Sequence, residues 1–224
     1  MTNNEILIIR QLQAAAKGRA SGAKPNGSPS NLVLTVLSDT SIKLDWTIGS
    51  TNQDGCHIYD NTDTLVATVT GSTATKTLTG LIANTQYGYY IKEYKGSQES
   101  AASTTVSAYT WTIEYKVVYD SFPTKPTDQI DIDAQAVMMK SLVDGGYFAK
   151  CELIDILSTH TGGSLKNWYN PGTFDPSLVS TPTFTQYEGY TGSSSANKGL
   201  NLNFRPAIDG TKITKDDFCC IVGI

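Results

Sequence analysis

Basic residues are in short supply in this chain. Its 17 Lys and Arg stand against 21 Asp and Glu, a formal net charge of −4 over 224 residues. No basic run is interleaved with aromatics. Binding nucleic acid requires a basic face that releases counterions from phosphate, so no nucleic-acid partner is expected. Cysteine is scarce too: Cys56, Cys151 and the adjacent pair Cys219 and Cys220. Neighbouring cysteines rarely bridge each other, and neither C-x-x-C nor a His-rich metal spacing occurs. The reading is free, mostly buried thiols in a reducing compartment, with no metal site. Long apolar runs are also missing. Ile6-Leu7-Ile8-Ile9 is shorter than the roughly 7–15-residue core of an export signal, and no basic residue precedes it. Nothing approaches the roughly 20 apolar residues of a membrane span, so no membrane insertion is expected.

The motifs of catalysis are thin. No nucleophile elbow, P-loop, zinc motif or dinucleotide fingerprint occurs. Of the two histidines, His57 and His160, a Ser-His-Asp or Cys-His site would have to use His160, with Cys151 nine residues earlier, and nothing nearby orients its ring. His57, flanked by Cys56 and Ile58, reads as a cross-strand surface residue with no carboxylate close in sequence. Glu188 between Tyr187 and Tyr190 is a faint glycosidase candidate without a paired carboxylate. Asp128, Asp131 and Asp133 lack the glycine and closing Glu of a calcium loop and suit a helix N-terminus instead. The expectation is a protein that is not an enzyme and has no catalytic residues, metal or cofactor.

What is present is a mainly β pattern rich in small polar residues. Strands are predicted at 32–37, 41–47, 55–60, 64–69, 73–79, 86–95 and 101–110. Ser41 to Trp46 alternates polar and apolar as a half-buried strand does, and Asp60-Asn61-Thr62-Asp63 reads as a hairpin turn. Pro29-Ser30-Asn31-Leu32 opens the first strand, Trp46 closes the second, and Leu81 precedes Tyr87 at the corner before the sixth. Residues 29–111 thereby resemble a fibronectin type III domain. The resemblance implies a seven-strand β-sandwich with Trp46, Leu81 and Tyr87 in its core and the Tyr87 hydroxyl returning to backbone. It also implies a spacer or binding module. Gly96-Ser97 falls at the loop between the last two strands, which lacks Arg-Gly-Asp.

Ahead of the sandwich, residues 1–28 read as an attachment device. Thr2 to Glu5 has capping-box form, and Ile6, Ile9 and Leu12 (or Gln13) follow at helical spacing. A short helix that must pack on a partner and a frayed arm are both open readings. Gly18 to Ser30 is a linker by composition, letting the sandwich swing.

Beyond it, 112–190 reads as a helical and loop linking region. Trp111 to Tyr119 looks β-like. Asp128 to Val143 is predicted helical, with Ile130, Ala134, Val137 and Ser141 or Leu142 on its packed face and Gly145-Gly146 as the stop. A second helix is predicted over Tyr147 to Ser158 with Phe148, Cys151, Ile154 and Leu157 spaced three apart, and 162–190 is expected to be loop. Residues 191–224 read as the start of a second β-domain, because Phe218 to Ile224 is an apolar strand with nothing left to pair with.

Met139 to Tyr147, Trp168 to Thr173 and Tyr187 to Gly192 together are similar to a block in virion fibre and appendage proteins of phages infecting Bacteroidetes, including crAss-like phages. That resemblance covers about 115–224. It implies a structural virion protein, assembled in the host cytoplasm. It would attach through its N-terminus to capsid, portal, collar or tail proteins, form a homo-trimer, and present a distal domain to a receptor or host surface glycan. The alternative is the non-catalytic front part of a longer carbohydrate-active enzyme or bacterial adhesin.

Overall fold

A computed structural model describes residues 23–156, 160, 163, 165–186, 188–191 and 198–204. The expected N-terminal helix with Ile6, Ile9 and Leu12, and the closing apolar strand at 218–224, lie outside the described residues. The chain divides into two compact units, one ending at Thr110 and the other starting at Trp111.

The first unit is a β-sandwich of the fibronectin type III kind. One sheet contains β1 (Ser30–Val36), β2 (Ser41–Thr47) and β5 (Thr75–Thr79) in the order β1-β2-β5. The other contains β4 (Leu65–Thr70), β3 (Gly55–Asp60), β6 (Gln86–Lys95) and β7 (Gln98–Glu99), with β8 (Val106–Tyr109) also paired to β6. All pairs are antiparallel. Side chains alternate across a pleated strand, so a period-two apolar set must face the partner sheet. Ile42, Leu44 and Trp46 of β2 meet Cys56, Ile58, Tyr89 and Ile91 of the second sheet, with Leu32 and Val69 completing the core. Trp46 is 6% exposed, while Leu81 and Tyr87 are partly buried against this cluster. The Ile82 N–H donates to the Tyr87 hydroxyl at 2.9 Å. The last predicted strand is shorter than expected: 101–105 form no ladder, and β7 is an extra two-residue pairing.

The leader to this sandwich is fastened to it. Pro25 and Pro29 are buried. The Asn26 N–H donates to Ser50 Oγ at 3.1 Å and Asn52 Oδ1 at 2.9 Å, and Asn26 Oδ1 accepts from Ser50 Oγ and the Thr51 N–H. Where the two backbones cross, a Cβ on Gly27 would lie 2.1 Å from the Gly49 carbonyl, and one on Gly49 would lie 2.0 Å from the Ser28 carbonyl. Only glycine allows that approach. Residues 24–29, expected as part of a free linker, are therefore tied to the β2–β3 loop. That loop is in turn held from below, where the fully buried Glu93 accepts from the Gly49 N–H at 2.6 Å.

The second unit departs further from expectation. Trp111 to Tyr119 is not a strand: α1 runs Ile113–Ser121. The Thr112 side chain caps it by accepting from the Tyr115 N–H. Burial of Tyr115, Val118 and Phe122, at helical spacing, overrides the β propensity of the run. The predicted second helix is present as α2 (Gln129–Asp144), capped by Asp128 and ended where Gly146 takes a φ of 70°. Its packed face, however, is Ile132, Gln135 and Met139. Ile130 and Val137, expected inside, are 76% and 64% exposed. The reason is polar: the Tyr115 hydroxyl is bonded to Gln135 Oε1 and the Ile132 carbonyl, so a glutamine fills the core position that hydropathy assigned elsewhere.

No helix follows over 147–156 beyond one 3₁₀ turn, Phe148–Lys150. The buried Asn167 draws the chain out instead, its Oδ1 accepting from the N–H groups of Ile154 and Tyr169. Leu157 and Ser158 lie outside the described residues. The segment expected to be loop carries β9 (Ser177–Val179), β10 (Thr183–Thr185) and β11 (Gly189–Thr191). Strand β12 (Gly199–Asn201) pairs with β9, a pairing that crosses residue 190.

Candidate functional site

The outward face of the larger sheet collects a cluster of titratable and aromatic side chains. Register sets them in rows across the strands. Leu65, Tyr59 and Tyr90 stand opposite one another in the first row, and Thr68, His57 and Lys92 in the second. Thr70, Gly55, Tyr94 and Glu99 form the third. The inward neighbours Ile58, Ile91, Cys56 and Glu93 are buried, and the pleat turns the residues between them to the other side.

Glu99 is the hub of this face. Its Oε1 accepts from the Tyr59 hydroxyl at 2.6 Å and lies 2.6 Å from His57 Nδ1, and its Oε2 accepts from Lys92 Nζ at 3.2 Å. Burial pulls the Glu99 carboxyl up, but hydrogen bonds from Tyr59, His57 and Lys92 outweigh it and hold the group below its usual range. The bond to Glu99 pushes the Tyr59 phenol up to about 12, and a 2.7 Å bond to Asp63 does the same for Tyr90. Both phenols stay protonated and donate.

The rings pack in two pairs. Tyr59 and Tyr90 have centroids 5.3 Å apart and planes 12° apart. That separation is close to the interstrand spacing of about 4.8 Å, so the rings face each other across the strands and turn their edges outward. His57 and Tyr94 stack at 4.2 Å and 10°. A Cβ on Gly55 would lie 2.8 Å from Tyr94 Cε1 and 2.1 Å from the Val69 carbonyl, so glycine makes room for that ring. Lys92 Nζ sits 5.0 Å from the Tyr59 centroid and 5.9 Å from that of Tyr90, between the two pairs.

This arrangement has hydrogen-bonding capacity to spare. The Tyr59 and Tyr90 hydroxyls, while donating to carboxylates, can still accept through oxygen; Lys92 has further N–H groups; Thr68 and Thr70 are exposed and offer hydroxyls. On this face the imidazole of His57 and the carboxylate of Glu99 are bonded to each other and to Tyr59 and Lys92, and Asp63 is bonded to Tyr90.

The sequence had singled out other residues. His160 is buried, bonded through Nδ1 to Gln135 at 3.3 Å and through Nε2 to the Thr124 carbonyl at 3.1 Å. Burial lowers its affinity for a proton. The Cys151 thiol donates to the Tyr147 carbonyl. Glu188 is exposed, and Tyr190 packs on Phe184, while Tyr187 lies outside the described residues. Asp128 caps α2, and Asp133 accepts from Gln129. His57, read as lacking a carboxylate, has one 42 residues away in sequence. A signal for this face was available: Tyr90, Lys92 and Tyr94 alternate with buried residues along β6, opposite His57 and Tyr59 on β3.

The sequence model of the fibronectin type III domain matches residues 27–108. Among curated proteins, chitinase A1 of Niallia circulans is 40% identical over 97 residues, covering 39% of this chain and 13% of chitinase A1. The chain thus spans only a small part of the length of that relative. Among solved structures, the fibronectin type III domain of human fibronectin type III domain containing protein 3 is 19% identical, covering 42% of this chain and 94% of that one at a TM-score of 0.33. A family 28 exopolygalacturonase of Yersinia enterocolitica is 18% identical, covering 38% of this chain and 20% of that one at a TM-score of 0.34.

Proposed function

We propose that residues 24–110 are a non-catalytic contact module of a longer protein, and that the module touches carbohydrate through the face built on Tyr59, Tyr90, His57, Tyr94, Lys92 and Glu99. The observation that carries this reading is the unspent hydrogen-bonding capacity set between two aromatic pairs. Donors and acceptors alternate there within a few ångströms, beside ring edges that exclude water, and a polyhydroxylated ligand answers both needs. The 40% identity with a segment of a chitinase supports a carbohydrate-directed setting, as the front part or spacer of an enzyme or adhesin. Binding to immobilised polysaccharides, measured by pull-down and calorimetry, tests it. Tyr90→Ala should weaken retention about tenfold, the equivalent of about one net hydrogen bond, while Thr77→Ala on the opposite sheet should not. Equal retention of both variants would refute the assignment of this face.

A second reading rests on the block at Met139 to Tyr147, Trp168 to Thr173 and Tyr187 to Gly192. We infer from its similarity to phage appendage proteins that the module is carried on a virion, as a trimer anchored by residues 1–17. The same glycan face would then meet the host surface. Deleting residues 1–17, or changing Ile6 and Ile9 to Asp, should remove the chain from purified particles without unfolding the sandwich. Normal copy number in the deleted form would overturn this setting and leave the contact module standing.

A further inference from the structure

Resting on the reading that this face contacts carbohydrate, we propose that its ligand is an electrically neutral, linear polysaccharide lying along β6. Charge balance on the face excludes a preference for acidic chains. Lys92 is already neutralised by Glu99 at 3.2 Å, and Lys95 by Asp54 at 3.3 Å. The remaining carboxylate beside the rings, Asp63, is spent on the Tyr90 hydroxyl. A carboxylated or sulfated sugar would find no unpaired cation and would approach two carboxylates, at a cost in repulsion. A neutral chain meets no such penalty, and its hydroxyls can use the phenol oxygens as acceptors and the spare Lys92 N–H groups as donors.

Linearity follows from the layout. Tyr90, Lys92 and Tyr94 occupy alternate positions of one strand, so the Tyr90 and Tyr94 backbones lie about 13 Å apart at about 3.3 Å per residue, with Lys92 midway, while His57 and Tyr59 meet edge to face at 6.2 Å between them. A single pyranose does not span from Tyr90 to Tyr94, whereas an extended oligosaccharide reaches both tyrosines at once. The second contact is then intramolecular and strengthens binding without any new type of interaction. Affinity should therefore climb with chain length until the ligand spans Tyr90 to Tyr94, and level off beyond that. The Tyr59–Glu99 and His57–Glu99 bonds hold the rings in place before the ligand arrives, which lowers the ordering cost of binding.

The test is calorimetry on the whole chain with neutral gluco-, xylo- and N-acetylchito-oligosaccharides of increasing length, against uronic-acid oligomers of matched length, at low and high salt. The expected result is binding of a neutral series that rises with length and is unchanged by salt. In addition, Tyr90→Ala and Tyr94→Ala should each cost about tenfold for long ligands, the equivalent of about one net hydrogen bond. Each of these variants should also flatten the length dependence. Retention of the wild-type thermal transition shows that a variant is folded, and Lys92→Met gives an independent loss if either tyrosine change disturbs the sheet. Salt-sensitive binding of the uronic series overturns the proposal yet keeps the face as a glycan site. Binding that is independent of length overturns the lengthwise seating alone. Absence of binding to every series overturns the underlying reading.

Discussion

The two units of this chain build their interiors from different materials. The sandwich packs aliphatic and aromatic side chains on a two-residue period and sets its side-chain network around Glu99 on the outside, while its buried Glu93 bonds to backbone. The second unit buries Gln135, His160, Asn167 and Thr112 among Trp111, Tyr115, Phe122 and Trp168. In the first, hydropathy and burial coincide along β2 and β3, with the fully buried Glu93 as an exception. In the second, hydrogen bonds choose which face goes inward, and apolar residues such as Ile130 and Val137 are left outside. A polar core specifies structure through geometry that no apolar pattern records.

The contrast predicts different ways of breaking each unit. The largest effect is expected in the sandwich, where Trp46→Ala removes a large side chain from the meeting point of both sheets and should cost about 3–5 kcal/mol. Calorimetry should show the sandwich transition lost or strongly lowered. An unshifted transition would mean that the core does not centre on Trp46. In the second unit the comparable lesion is polar. Asn167→Ala strips partners from the Ile154 and Tyr169 N–H groups and the Thr173 carbonyl, and should cost on the order of 3 kcal/mol. Gln135→Ala with no change in melting would show that this core is held by its aromatics alone.

Opposite pH responses sharpen the comparison. Burial, then the charge of Asp175, push the Asp155 carboxyl up to about 7. The folded second unit therefore holds a proton that the unfolded chain has already lost. Its stability falls as pH rises from about 4 toward 7, and the penalty persists above that. Asp155→Asn should raise the second transition at pH 8 and leave it unchanged in acid; the reverse pattern would refute the burial of this group. Glu99 behaves the other way. Its pKa is held low when folded, so its contribution is present above the ordinary carboxylate range and is lost as pH falls below it. Glu99→Gln should flatten the acid limb of the sandwich transition, the smallest of these effects, visible as a shallower dependence of melting temperature on pH.

Legibility in the sequence follows the same division. The strands of the sandwich, the Asp60 turn and the Trp46 and Tyr87 positions were readable because each is a local pattern. In α2, both caps were readable, since Asp128 and Gly145-Gly146 sit next to the ends they serve. The packed face of α2 was not, because Gln135 is core only by virtue of a hydroxyl 20 residues earlier. Alpha-helical α1 looked β-like for a related reason: Val117, Val118 and Tyr119 favour strands until Tyr115 and Phe122 find their partners. The outward face of the sandwich was hidden by distance. Asp54 and Asp60 lie near His57 and Tyr59 in sequence, but the carboxylate that binds both is Glu99, which reaches them only after β6 and β7 fold back on β3.

The crossing of Gly27 and Gly49 carries a mechanical meaning. A pull applied at residue 23 does not peel β1 from its sheet one bond at a time. It loads the bonds from Asn26 to Ser50, Thr51 and Asn52 together and in shear, and passes through Gly49 to Glu93 in the opposite sheet. Tension is thus shared between both layers before any strand is disturbed, as a strain-relief collar protects a cable at its socket. Single-molecule stretching should show an early force peak that disappears in Asn26→Ala while the main sandwich rupture stays; one unchanged trace for both would mean that the collar bears no load.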